Sequence, residues 1–305
     1  MEKIVSISLG SPSRDFTVEV DLLGRRLAVQ RRGVGGSYHD YFRALAEADA
    51  DPEVRAIGLG GINRYLLTNA NKHEFSMARK MIATVRTKPV VDGCGLKTSL
   101  EPYLVHRLQE EGVVDFSRSR VLMVAATDRW GMARALRETA RETVFGDLMF
   151  GLDLPIPLGW NVLCPLAALL VPVITRCVPF KWLYPTGETK VKPKYGNWYA
   201  WADVVAGDWK FIQRCLPVGP EALRGKTILT NTVTSKDVEL LRSRGAALLV
   251  TTTPNLSGRS FGTNVIEAVV ITLAGKRPEE MTPQEYLDVL RALGWDRPRV
   301  EHLNG

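Results

Sequence analysis

Short apolar runs alternate with amphipathic stretches along the chain, and the two periods separate strands from helices. Over residues 1–115, strand-like runs fall at Lys3–Leu9, Phe16–Leu22, Arg26–Gln30, Ala56–Leu59 and Pro89–Val91. A 3.6-residue recurrence of apolar positions predicts helices over Tyr38–Ala48, Phe75–Thr87 and Leu100–Glu111. From residue 116 the rhythm is clearer: strands at Arg120–Ala125, Thr143–Gly146, Ala202–Ala206, Lys226–Leu229 and Ala247–Thr251, with helices at Trp130–Arg141, Lys236–Arg244 and Thr263–Ala274. Strands and helices joined by short connections imply a parallel sheet covered on both faces. Near the end, Thr282-Pro283-Gln284-Glu285 combines an N-cap, a first-turn proline and a capping-box glutamate ahead of Tyr286–Leu293.

The pattern predicts an α/β protein of two domains: an N-terminal α/β substrate domain over 1–115, and a C-terminal Rossmann-type doubly wound parallel sheet over 116–275. The second domain carries an apolar insertion at 152–200, and residues 276–305 form a helical tail. Within the insertion, 22 residues from Leu154 to Thr175 bear no formal charge. That length admits a membrane helix. Pro155, Pro157, Pro165, Pro172 and Pro179 argue against one, because each removes a backbone donor and crowds the preceding turn. The expectation is an apolar element packed on the protein, with a lid or a membrane contact through 154–175 as the alternatives not expected.

Composition sets further bounds. At 305 residues, with 45% hydrophobic and 24% charged, the chain has ample core material for two domains. The net charge of +7 arises from 40 Lys+Arg against 33 Asp+Glu, scattered without a basic run, so no nucleic-acid partner is expected. Cys94, Cys164, Cys177 and Cys215 form neither a CxxC pair nor a cluster with the four histidines, so neither a disulfide framework nor a metal site is expected. The apolar stretch at the N-terminus is short for a signal-peptide core and reads as a first strand, which points to the cytoplasm.

Candidate chemistry gathers where strands end. The run Val121-Leu122-Met123-Val124-Ala125-Ala126-Thr127-Asp128-Arg129-Trp130-Gly131 reads as strand, tight turn and helix start, the place where a dinucleotide's diphosphate meets free helix amides. The glycine fingerprint is incomplete: Ala125, Thr127 and Arg129 stand around the turn, and Gly131 sits where a helix packs closely on a strand. Asp147, about twenty residues after the turn, matches the acid that accepts ribose hydroxyls and favours NAD, with NADP the alternative. Asp208, Asn231 and Thr252 finish later apolar runs and are candidates to bond the same cofactor.

This order of motifs resembles the shikimate/quinate dehydrogenase group. More closely, the chain resembles a bacterial family labelled quinate 5-dehydrogenase or predicted dehydrogenase, through Phe180-Lys181-Trp182-Leu183-Tyr184-Pro185-Thr186-Gly187-Glu188 and Gly258-Arg259-Ser260-Phe261-Gly262-Thr263-Asn264. The resemblance implies an NAD(P)-dependent oxidoreductase acting on a small hydroxy or keto acid of the quinate/shikimate type. Of the group's carboxylate-binding Ser-x-Ser-Pro turn, Ser11 alone aligns, in Leu9-Gly10-Ser11-Pro12. Lys97, after Val91-Asp92-Gly93-Cys94-Gly95-Leu96, is the nearest match to the catalytic lysine, with a pKa lowered by burial and Asp92 to orient it. The group's Asn-Thr-Asp partner motif does not follow Lys97. Arg259 is placed to clamp a carboxylate at two points, and Asn264 opens the helix facing the presumed cleft.

Two other classes fit the same residues. An acyl-thioester reductase would use the 154–175 segment for a fatty chain and Cys215 as nucleophile. A ligand-binding protein would keep the fold without turnover. The oligomeric state is not legible from these patterns.

Overall fold

A computed structural model describes residues 1–304 except 70, 180–182, 184–190 and 257–258, and the side chains of 255–260 also lie outside the described part. The first quoted resemblance run therefore lies outside the description save for Leu183, and the second lies partly outside it.

The chain runs β1 (Glu2–Ser8), β2 (Phe16–Leu22), β3 (Arg25–Gly33), α1 (Tyr38–Ala50), β4 (Val54–Gly60), β5 (Tyr65–Thr68), β6 (Asn71–Glu74), α2 (Ser76–Ile82), β7 (Val90–Val91), α3 (Cys94–Thr98) and α4 (Leu100–Glu110). It continues through β8 (Arg120–Met123), α5 (Trp130–Thr139), β9 (Glu142–Phe145), α6 (Trp160–Cys177), α7 (Gly196–Trp201), β10 (Val204–Ala206), α8 (Trp209–Arg214) and β11 (Thr227–Thr230). It ends with α9 (Ser235–Ser243), β12 (Leu248–Thr251), β13 (Asn255–Leu256), β14 (Arg259–Ser260), α10 (Thr263–Ala274), α11 (Pro283–Ala292) and β15 (Arg299–His302). The expected α/β class is what the protein has, with two large sheets and two two-stranded ones, β5–β6 and β13–β14, among the described residues.

The first sheet has the order β2-β3-β1-β4-β7, parallel except for the β2–β3 hairpin. The second has the order β15-β12-β11-β10-β8-β9, parallel except for β15. From β8 the chain builds β9 on one side and then crosses to build β10 on the other. Such a reversal opens a crevice beyond the carboxyl ends of β8 and β10. Ala125–Arg129 follow β8 at that crevice, and Gly207 and Asp208 follow β10.

Four features depart from the sequence expectation. First, the segment expected to be broken by prolines contains an 18-residue helix, α6, with Pro165 and Pro172 inside it. The carbonyls that lose their donors belong to Asn161 and Ala168, both exposed positions, so that solvent can reach them and neither is left as a buried orphan. The opposite face, Leu163, Ala167, Val171 and Thr175 at four-residue spacing, is buried and holds the helix in place. Second, a β5–β6 hairpin lies under α6, with Leu66 and Leu67 buried.

Third, α10 follows the second sheet in sequence but packs on β4 and β1 of the first. Phe261, Val265, Ile266, Val269 and Val270 join Ile4, Val29 and Ala56 in one core. The 116–275 boundary therefore cuts across a packing unit: residues 263–274 belong with the first sheet because their apolar face has its cover there. Fourth, the tail is not wholly helical, since β15 returns as an antiparallel edge strand beside β12.

Candidate functional site between the two sheets

The carboxyl end of β7 leads through Asp92 and Gly93 into α3. Gly93 adopts φ +96°, and a Cβ there would approach Thr263 Oγ1 to 2.4 Å, so glycine alone fits where α3 meets α10. This turn aims Lys97 inward. Its Nζ donates to Asp128 Oδ1 at 2.9 Å and to Asn63 Oδ1 at 3.3 Å, and Asn63 Nδ2 donates to the same Asp128 oxygen. Lys97 comes from the first lobe, Asn63 from the loop after β4, and Asp128 from the turn after β8. Both ionic groups are almost fully buried, at 3% and 2% exposure.

The network extends through Arg129, itself buried. Its guanidinium pairs with Glu101, with Asp208 Oδ2 at 2.9 Å, and through Nε with Asp128 Oδ2 at 3.4 Å. Asp208 also caps α8 by accepting from Lys210 N, and it receives Asn231 Nδ2 at 2.8 Å. Three acids thus meet two cations in a low-dielectric interior. Burial pushes the Glu101 carboxyl up against the pull of Arg129. Burial pulls Lys97 down, but the charge and hydrogen bond of Asp128 together with the charge of Asp92 overcome it and the ammonium ends above its ordinary range, the reverse of the lowered value expected from sequence.

Several expected roles change on contact with these distances. Asp92 does not orient Lys97: its oxygens accept the backbone amides of Arg64, Tyr65 and Cys94, and so fix two turns. Asp147 folds back on the β8–α5 turn, accepting Ala126 N at 3.0 Å, Thr127 N at 2.9 Å and Thr127 Oγ1 at 2.8 Å. These are the amides a diphosphate would need. Arg129 points into the ion network rather than out of the turn. At Gly131 a Cβ would come 2.4 Å from the Lys97 carbonyl, so this glycine lets α5 meet α3 and α4, not a strand. The residues of this turn do not fit a dinucleotide in the arrangement they hold.

The remaining candidates lie elsewhere. Ser11 is exposed and bonds Ser13. Asn264 is buried and donates to Ser6 Oγ at 2.7 Å, pinning α10 to β1. Asn231 Oδ1 accepts Trp209 N and Thr230 Oγ1 while its amide steadies Asp208, and the Thr252 hydroxyl is buried without a hydrogen-bond partner. The side chain of Arg259 lies outside the described residues. Cys215 is buried and its thiol is pushed up to about 11, so it is a small core residue and not a nucleophile.

One cavity reaches the network. It lies between α6 and the β8–α5 turn, with Leu163, Ala167, Val171 and Leu66 among its walls and Thr127, Asp128 and Asp147 among its lining residues, and its volume is about 80 Å³. Ala125 also lines it. Sequence reasoning found Lys97 and the turn but missed Asn63 and the pairing with Asp128, which come from loops 34 and 31 residues away from Lys97. Local spacing carries no signal for either.

The family described as domain of unknown function (DUF8754) matches residues 95–303, and one described as domain of unknown function (DUF8753) matches residues 3–92. No curated protein matches the chain. Among solved structures, the chain is similar to a galactofuranose binding protein, with 11% identity over 96% of this chain and 99% of that one, TM-score 0.35. It is similar to an NAD-dependent malic enzyme from Thermotoga maritima, with 14% identity over 96% and 84%, TM-score 0.40. It is also similar to the periplasmic binding protein of the arabinose ABC transporter from Shewanella sp. ANA-3, with 8% identity over 98% and 100%, TM-score 0.34. At these scores none of them bears on the site or on an activity.

Proposed function

Because the chain belongs to the family described as domain of unknown function (DUF8754), a description that names no reaction, we propose a function from the geometry alone: an enzyme that binds a small, mainly apolar molecule bearing a hydroxyl or amino group. The observation that carries this reading is Asp128, a buried carboxylate lining an apolar-walled cavity and held by Lys97 at 2.9 Å. An ion pair in the interior is weak evidence for stability, since desolvation of both charges offsets most of their attraction. It makes better sense as a prepared contact. A carboxylate only accepts, so it selects a ligand O–H or N–H and is the group to take its proton in an acid–base step, with Lys97 fixing its position.

The cavity limits the ligand. At about 80 Å³ it is smaller than the roughly 150 Å³ space known to take up benzene, so it suits a few carbons and not a dinucleotide. Calorimetric titration with short alcohols and amines, and with ketones of matched size as the comparison that lacks a donor, tests the reading. Wild-type protein is expected to bind saturably, Ala167→Phe to abolish binding by filling the cavity, and Asp128→Asn to weaken it about tenfold, the worth of one hydrogen bond to a charged acceptor. Unchanged binding in both variants would remove the site. Turnover of a bound ligand separates an enzyme from a binding protein.

A second reading keeps the NAD(P)-dependent oxidoreductase for a hydroxy or keto acid of the quinate/shikimate type. It is favoured by the strand reversal between β8 and β10, with Lys97 close to its mouth. Titration with NAD and NADP decides it: Asp147→Ala frees the Ala126 and Thr127 amides and is expected to raise cofactor affinity, and absence of binding in both forms excludes it.

A further inference from the structure

The side of α6 turned away from the protein is apolar where a surface helix is ordinarily charged. Val162, Leu169 and Val173 are 56%, 69% and 56% exposed, and Leu152, Leu154 and Ile156 of the preceding segment are exposed as well, at 37%, 45% and 50%. In 18 residues α6 bears one charge, Arg176 at its last turn. Val162, Leu169 and Val173 recur at the spacing of one helix face, and an exposed apolar stripe of this kind marks a contact with something apolar.

The border of the patch is cationic. At the end of α6 a second, polar cavity is lined by Lys72, Arg79 and Arg176, with Glu74 as its only carboxylate among the described residues. Glu74 is already committed to Arg64 and Arg79, which leaves Lys72 and Arg176 without an acidic partner among the described residues. His73 lines the same cavity, and burial together with Arg176 holds its imidazole below the ordinary range, so at neutral pH it adds no further positive charge. Burial pushes the Cys164 thiol of α6 up, against a smaller opposing pull from the nearby Arg137, and Lys194 pairs with Asp153 beside Leu154.

We propose that α6 and the 152–156 segment dock on an anionic lipid surface, with the apolar residues entering the headgroup–acyl boundary and Lys72 and Arg176 meeting lipid phosphates. A helix lying in the interface needs an apolar face and flanking cations, and both are present. A second copy of the chain would satisfy the apolar face but would set the cationic borders of two copies against each other. The docking does not depend on the chemistry at Lys97.

Co-sedimentation of the full chain with vesicles tests the proposal, comparing neutral phosphatidylcholine with the same lipid containing about one third phosphatidylglycerol. Binding is expected to the anionic vesicles, to fall about fivefold for each of Lys72→Glu and Arg176→Glu, and to weaken in about 0.5 M salt. Leu169→Asp with Val173→Asp is expected to abolish it, and because both positions are exposed this variant retains the wild-type melting temperature. Failure to bind either vesicle overturns the proposal. So does equal binding to both, or a solution dimer that Leu169→Asp turns into a monomer, which would give the face to a second copy.

Discussion

Lys97 and Asp128 show how little one side chain says without its partners. A lysine after a glycine turn is ordinarily solvated, and an aspartate in a helix-opening loop ordinarily caps the helix. Together they are a buried pair, braced by Asn63 and Arg129. Removing either partner leaves an uncompensated charge, so Lys97→Met and Asp128→Asn are each expected to cost about 3–5 kcal/mol in denaturant unfolding. The double variant is expected to be more stable than the sum of the two losses by at least about 1 kcal/mol, and additive losses would mean the pair is not coupled. Lys97 was legible because it follows a strand and a small-residue turn. Asp128 and Asn63 were not, because three loops distant in sequence meet only after both sheets form.

Glu267 is a second residue with consequences sequence reading passed over. Its carboxylate accepts Gly93 N, Gly95 N and Tyr286 Oη, with Asp92 close by, and burial followed by the Asp92 charge pushes it up to about 7. A carboxyl raised in the folded state binds its proton more tightly there than in the unfolded chain. Its contribution is therefore complete below about 4.5, the unfolded value, and is lost as pH rises through about 7. Urea melts between these limits are expected to show wild-type stability falling with pH by up to about 3 kcal/mol. Glu267→Gln is expected to flatten that slope, and an unchanged slope would assign it to other groups.

At the scale of elements, periodicity located most strands and helices within a few residues, and Phe16–Leu22 and Thr263–Ala274 match the observed β2 and α10 end to end. The capping box at Thr282 and Glu285 is present as the sequence implied. The β5–β6 hairpin escaped because Tyr65–Glu74 does not alternate, having Leu66 and Leu67 both buried. α6 escaped for a different reason: prolines were weighed as interior breakers, whereas the carbonyls they orphan lie at exposed positions. Pro172→Ala restores a donor to the Ala168 carbonyl and removes the ring's clash. It is expected to stabilise the protein by about 1–3 kcal/mol in thermal melts. A loss of stability would mean that the pyrrolidine ring makes packing contacts worth more than the missing hydrogen bond.

For the whole molecule, the return of α10 to the first sheet decides how the chain folds. The sequence divides naturally near residue 115, and two independent domains would melt separately. Yet all residues from Thr263 to Thr272 are buried, and their apolar members fill the core built on β1, β3 and β4. Val265, Ile266, Val269, Val270 and Ile271 each contribute about 1.5–3 kcal/mol by burial, so together they match the entire stability of an ordinary domain. Residues 1–115 alone therefore lack a wall of their core and are expected to remain unfolded by circular dichroism. Adding a 116–305 fragment is expected to restore the folded signal, because it supplies α10 in trans. The intact chain is expected to unfold in one calorimetric transition, since β15 and α10 place the ends of one segment on different sheets and tie their stabilities together. A cooperative transition in the isolated 1–115 fragment would show that the first sheet is closed without α10, and the two halves would then be domains in the sense their sequences suggest.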